Sequence, residues 1–354
     1  MRDTHPPGRA GGFLKGIRRL FSRFSRPRRR RIADRLARGV VTLGGVAIVG
    51  SILAILAVLV IEVAPLFRSA RLAEREGLEF SAARNPLLLG CDEYREVFYA
   101  VTRTGLEFLF RSGTSEPPPL PPILRTARVA GVSGRGAGSL ILALEERTLV
   151  PVEVSFRTDY GGGMRRVVPE VRQGTPIPLN SEASPRAVTH AGAEGNLVIA
   201  AAVGPRTVEI LRRRQRKALV GRGRVEESRY RVDLPGTGDV VSLAVDARGE
   251  DLYAGTADGM LVRLDLRPLE GPKVLGAVGA APDGAAVSVL GFLLGDRTLV
   301  VGDAKGRLSG WGLTRGEEDG WSLRKYREFE PHSAAVGGFQ PSSRDKGFLT
   351  WDLQ

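Results

Sequence analysis

Cysteine occurs once in the 354 residues, as Cys91, and histidine three times, as His5, His190 and His332. A single thiol excludes an internal disulfide framework and any zinc site built on several cysteines. Three histidines so far apart in sequence offer no His-rich metal centre. The chain also lacks a Gly-x-Ser-x-Gly elbow, a His-Glu-x-x-His pair and the acidic spacing of a calcium loop. The glycine-rich string Gly134-Arg135-Gly136-Ala137-Gly138 has no following Lys-Ser/Thr and sits between strand-like runs, so its glycines read as turn residues rather than a phosphate loop. No catalytic, cofactor-binding or metal-ligating residue is nominated and no cofactor is expected. The chain does not read as an enzyme.

What is present is an uneven charge. The formal net charge is +13. Residues 1–38 hold 13 Lys/Arg against the two acids Asp3 and Asp34, which leaves the rest of the chain at +2. Within this arm Phe13, Leu14, Ile17, Leu20, Phe21 and Phe24 recur on one face of a helix, with Lys15, Arg18, Arg19 and Arg23 on the other. A basic amphipathic helix of this kind suits an anionic lipid leaflet; the bland alternative is an arginine-rich tail without structure. A nucleic-acid partner is not expected, because no groove-reading motif or interleaved aromatics accompany the charge.

The arm abuts Gly39–Ile61, 23 residues without a charge. As a helix at about 1.5 Å per residue this run crosses a hydrocarbon core of about 30 Å. Arg26, Arg28, Arg29, Arg30, Arg31, Arg35 and Arg38 crowd its near side, which keeps the N-terminus in the cytoplasm and sends the chain beyond the run to the other side. A cleaved signal peptide fits less well, since its apolar region is shorter and a small-residue cleavage site comes after it. Twin-arginine export fits less still, because Arg18-Arg19 lie far from the apolar run. The expected location is a cell inner membrane, crossed once, with a periplasmic C-terminal domain. The expected organisation is a cytoplasmic arm (1–38), a transmembrane helix (39–61), a juxtamembrane linker (62–93) and a β-rich domain (94–354).

That domain repeats. Leu252–Leu261 and Leu299–Leu308 superpose with Gly255 over Gly302 and Gly259 over Gly306, each flanked by one strand before and one after. Glycine at these hairpins supplies positive φ. Weaker copies begin at Val97, Leu140, Leu197 and Phe348, so the leading residues are spaced 43, 57, 55, 47 and 49 apart. A period of this length made only of strands reads as an all-β, WD-like β-propeller of three-stranded units. His332–Val336 is a single weak match to the start of a WD-like blade. An irregular β-sandwich is the competing architecture. On the repeat alignment the last copy stops at a hairpin tip, which leaves the propeller incomplete and its edge unpaired.

Two further segments stand out. Leu211–Lys217, with Arg222 and Arg224, is a second basic patch, read as a solvated loop between units or as a surface for an acidic partner. Glu116–Pro122 reads as a stiff polyproline connector.

Arg31–Arg38, the span after it and Glu62–Phe67 together resemble the start of bacterial phosphate-type ABC transporter permeases. The likeness is to the subgroup in which a long periplasmic WD-like insertion comes after the first span, and Pro341–Thr350 is similar to a stretch of that insertion. The resemblance implies an N-terminal portion of a permease subunit in a transport system, with phosphate as the expected cargo. Its partners would be the lipid bilayer, a second permease subunit, an ATPase and a periplasmic binding protein. The further spans and the cytoplasmic coupling loop of such permeases are missing from these residues, and one helix cannot line a pathway. The alternative is a single-pass envelope protein whose propeller is an interaction scaffold.

Overall fold

The computed structural model describes residues 26–64, 86–111, 116–136, 138–160, 165–193, 196–216, 224–315, 321–342 and 347–353. They fall in two units, Met1–Gly77 and Leu78–Gln354.

In the first unit, α1 (Arg26–Val63) is one continuous helix. It begins well upstream of Gly39, because Arg, Ala and Leu in Arg30–Arg38 are good helix formers and carry the helix back through the basic flank. It ends two residues before Pro65, whose ring disfavours helix in the residue ahead of it. The most apolar 18 residues within Arg30–Val63 have a mean hydropathy of 2.8, and no residue of that stretch is buried in protein. Val41, Leu43, Ile48, Leu53, Leu59 and Ile61 lie open around its whole circumference. Such a helix is long and apolar enough to cross a membrane. The amphipathic stretch Phe13–Phe24 lies outside the described residues.

Among the described residues the second unit holds six antiparallel sheets in chain order. Blade one is β1 (Leu88–Cys91), β2 (Val97–Thr102) and β3 (Gly105–Phe110). The short helix α2 (Pro122–Thr126) succeeds a connector whose last residue, Pro121, has polyproline angles. Blade two is β4 (Val129–Arg135), β5 (Ser139–Leu144), β6 (Thr148–Asp159) and β7 (Arg166–Gln173), with β8 (Ile177–Pro178) added beside β6. Blade three is β9 (Ala187–Ala193), β10 (Asn196–Ala202), β11 (Thr207–Arg216) and β12 (Arg224–Asp233). Blade four is β13 (Val240–Val245), β14 (Asp251–Thr256), β15 (Met260–Asp265) and β16 (Lys273–Gly279). Blade five is β17 (Val289–Phe292), β18 (Leu299–Gly302), β19 (Leu308–Arg315) and β20 (Trp321–Glu328). Blade six is β21 (Val336–Pro341) and β22 (Phe348–Asp352).

The first strand of each blade borders the first strand of the next, from β4 through β9, β13 and β17 to β21, and β1 borders both β4 and β21. Six first strands around one axis, with later strands stepping outward, is a WD-like β-propeller and not a two-layer sandwich. The second strands explain why. Leu140, Leu142 and Leu144 of β5 pack into the core shared with blade one, while Ile141 and Ala143, pointing the other way, pack into the core shared with blade three. Along β14, Leu252 and Ala254 join blade three and Tyr253 joins blade five. Along β18, Leu299 and Val301 face blade four and Val300 faces blade six. A strand buried on both faces loses the polar alternation of a half-exposed strand and becomes a continuous apolar run. Those runs are the repeats at 97, 140, 197, 252 and 299, all of them second strands; the copy at 348 is the second strand of blade six, where no residue is buried.

Several expectations need revision. The unit is four-stranded in blades two to five, not three-stranded, because β7, β12, β16 and β20 complete the sheets on the outside. The β region starts at Leu88 rather than Tyr94, since Leu88 is buried and its side chain lies on Gly134 of β4. Leu211–Arg216 is not a loop but the end of strand β11, paired with β12 in register from Thr207↔Asp233 to Arg216↔Arg224. Blade six has only two strands among the described residues, which leaves the propeller incomplete there.

Candidate functional site

A polar group joins the first strands of blades two and three. His190 of β9 is 1% exposed. Ser133 of β4 lies 2.7 Å from its Nδ1, and Ser139 of β5 lies 3.2 Å from its Nε2. Whichever ring nitrogen carries the proton donates and the other accepts, so both are satisfied by neutral imidazole. The backbone N–H of His190 also donates to Ser133 Oγ at 3.1 Å. Burial, and then the nearby Arg135 charge, push the His190 pKa down to about 4. A serine beside a histidine is the start of a nucleophile arrangement; here the histidine is buried, Ser133 is half-buried and Ser139 is exposed, and their bonds join blades two and three.

Arg135, two residues beyond Ser133, reaches over blade three. Its Nη2 donates to the carbonyl of Val245 in blade four at 2.9 Å and to Asp296 Oδ1 in blade five at 3.3 Å. Asp296 also accepts from the N–H of Ala247 at 3.0 Å. Burial pulls the Arg135 pKa down, and Asp296 and Asp246 pull it back up. Blades two, four and five thus meet at one guanidinium at one mouth of the ring. None of Ser133, Arg135, Ser139, His190 and Asp296 was singled out from sequence for this role. The signal would have been a short polar residue at the end of each first strand, visible only once the repeats are aligned on the fold.

A second polar region lines a cavity of about 180 Å³ bordered by Val287, Val301, Asp303, Arg307, Lys325 and Phe329. Its charges are matched internally: Arg307 Nε bonds Asp303 at 2.6 Å, Lys325 bonds Glu328 at 2.7 Å, and Arg307 and Lys305 both hold Asp283. Those two cations keep Asp283 far below the usual carboxylate range. A small cavity whose cations are already paired offers little to an anion. Among the described residues, no three His, Cys, Asp or Glu side chains gather closely enough to hold a metal.

The basic segment divides into two parts. On one face of the β11–β12 hairpin Arg213 and Arg229 share Glu227, at 2.9 and 3.0 Å, and Arg229 also lies 3.6 Å from the buried Glu209. On the other face stands Arg212, buried beside Tyr230. Lys217 and Arg222 lie outside the described residues. His332, the weak WD-like match, stands just before β21, and its Nε2 meets Thr350 Oγ1 of β22 at 2.8 Å.

No family model matches the chain, and no curated protein matches it. Among solved structures, the β-propeller domain of Cps50 (Swd1) from Myceliophteria thermophila is similar at 14% identity and a TM-score of 0.45, over 71% of this chain and 74% of that one.

Proposed function

We propose that this chain is a membrane-anchored β-propeller that works as an interaction scaffold. In this reading α1 holds the protein in a cell inner membrane, the basic arm lies on the anionic cytoplasmic leaflet, and the propeller stands in the periplasm. The observation that carries it is the union in one chain of a helix apolar on every side with a body of side-by-side sheets, whose polar groups tie blades together. With the buried His190 spent on joining blades and the cavity's charges paired internally, contact surfaces and rims carry the main work.

The phosphate-transport reading rests on residues 31–67 and 341–350, and the comparisons lend it no support. The two readings part in one experiment. The membrane fraction is washed with alkaline carbonate, then extracted in detergent, and the tagged full chain is recovered with cross-linked neighbours. The scaffold reading expects the chain to resist carbonate and to bring down periplasmic proteins. Recovery of an ATPase together with a second permease subunit supports transport instead. Release by carbonate contradicts both.

A further inference from the structure

In blade three, Val208 and Ile210 of β11 face blade four and are fully buried with Leu264 and Leu266. Two residues further along that face the next side chain is Arg212, only 5% exposed. Its Nη1 donates to the carbonyl of Pro268 at a long 3.3 Å, and its guanidinium carbon lies 5.4 Å from the centre of the Tyr230 ring. Its Nε and Nη2 are shielded from solvent and meet no acceptor. The neighbouring carboxylates are engaged elsewhere. Asp265 bonds Arg267 at 2.8 Å, Glu227 takes Arg213 and Arg229, and Glu209 accepts from the N–H of Asn180.

Burial lowers the Arg212 pKa, and Asp265, which does not bond it, offsets only part of that; a buried cation so weakly compensated is costly, and native proteins seldom keep one idle. The free edge is also a particular one. Nε and Nη2 present two parallel N–H groups, the fork that a carboxylate meets with both oxygens. Covering it is the strap Pro268–Gly271. Two long bonds hold the strap to blade three, Arg212 to Pro268 and Tyr230 Oη to the carbonyl of Leu269, each 3.3 Å, and within blade four its Glu270 lies 3.9 Å from Lys273. Leu269 at its crest is 80% exposed, and Gly271, at φ +139, lies flat against Tyr230, where an added Cβ would sit 3.3 Å from the ring.

We infer that Arg212 is a carboxylate receptor, filled by an Asp or Glu side chain of a partner peptide when the strap Pro268–Gly271 lifts. One guanidinium among Tyr230, Leu266 and Pro268 balances a single negative charge, which favours a carboxylate over a phosphate dianion. The apolar crest of Leu269 gives the residues beside that carboxylate something to pack on. The inference deepens the scaffold reading and rests on it, but its test uses purified protein, so loss of membrane association and loss of peptide binding are separate results.

The test is fluorescence anisotropy on the detergent-purified full chain. The probe is a capped five-residue peptide alternating leucine and glutamate, and the control is the same peptide with glutamine. The glutamate peptide is expected to bind at least about tenfold more tightly, a difference of about 1.4 kcal/mol. Arg212→Gln should erase that difference, and Arg212→Lys should keep part of it. Arg212→Met, without peptide, should hold or raise the thermal midpoint, because it removes an uncompensated charge and keeps the packing. Equal binding of the two peptides overturns the proposal, as does binding unaffected by Arg212→Gln. A lowered midpoint in Arg212→Met overturns it too, by making Arg212 a structural residue. Inorganic phosphate competing as well as the glutamate peptide overturns the carboxylate assignment in favour of a general oxyanion site.

Discussion

Arg135 of blade two donates to Asp296 of blade five across 3.3 Å, and through Val245 and Ala247 the same pair takes in blade four. Residues 161 apart in sequence therefore meet at the mouth of the ring. Both side chains are about three-quarters buried, so the pair is less screened than a surface ion pair. Arg135→Ala and Asp296→Ala should each lower stability by about 1–3 kcal/mol in urea unfolding of the purified chain. The double variant should lose less than the sum of the two. Strict additivity would mean the contact carries no coupling.

His190 gives a pH signature. Its folded-state pKa sits at about 4 against an ordinary 6.5, because of burial and then Arg135. The side chains facing it are Ser133, Ser139 and Arg135. As pH falls below 6.5 the unfolded chain binds this proton and the folded chain does not, so stability drains between 6.5 and about 4. The full loss is roughly 3 kcal/mol. Asp258, Asp265, Asp283 and Glu227, all held below their usual range, add losses in the same sense at lower pH. Denaturation midpoints measured from pH 6.5 down to 5 therefore isolate the histidine, and His190→Gln should flatten the curve there.

The repeat itself can be tested at its glycines. Gly259 and Gly306 occupy the same turn in blades four and five, at φ +81 and +83. An added Cβ at Gly306 would collide with the carbonyl of His332 and lie 2.6 Å from that of Ala334, whereas at Gly259 the nearest atom is 3.0 Å away. Both alanine variants should lose the roughly 1–3 kcal/mol of a left-handed non-glycine residue. Gly306→Ala should lose more, because two backbone carbonyls of the next blade must also move. Thermal melts of the two variants decide the order.

Residues 78–354 form a compact unit of their own. Expressed without residues 1–77, this unit should be monodisperse without detergent and keep the β-rich circular dichroism of the full chain. Aggregation would show that the first unit contributes to the fold.

How much of the fold was legible depends on where each strand lies. Second strands such as Leu252–Thr256 bury both faces and left an apolar run with a period. Outer strands left none: Lys273–Gly279 and Trp321–Glu328 are exposed along nearly their whole length, so nothing in their residues marks them as strand. The arginines of Leu211–Arg216 looked like a loop because charge suggested solvent, yet Leu211 and Arg212 are buried and Arg213 beside them is matched by Glu227. The polar mouth was beyond reach of local reading. Ser133, His190, Val245 and Asp296 meet only when four blades close around one axis, and no spacing in the chain announces that.

Cys91 offers the most direct test of the account, being the sole cysteine, exposed, and inside the first strand of the propeller. Burial around its sulfur, and then Asp92, raise the thiol pKa, so labelling belongs at mildly alkaline pH. Cells with a permeabilised outer membrane and an intact inner membrane are treated with a membrane-impermeant maleimide. The account predicts that Cys91 is labelled without lysis, to the same extent as after lysis. Labelling that appears only once the inner membrane is broken would place the propeller in the cytoplasm and contradict it.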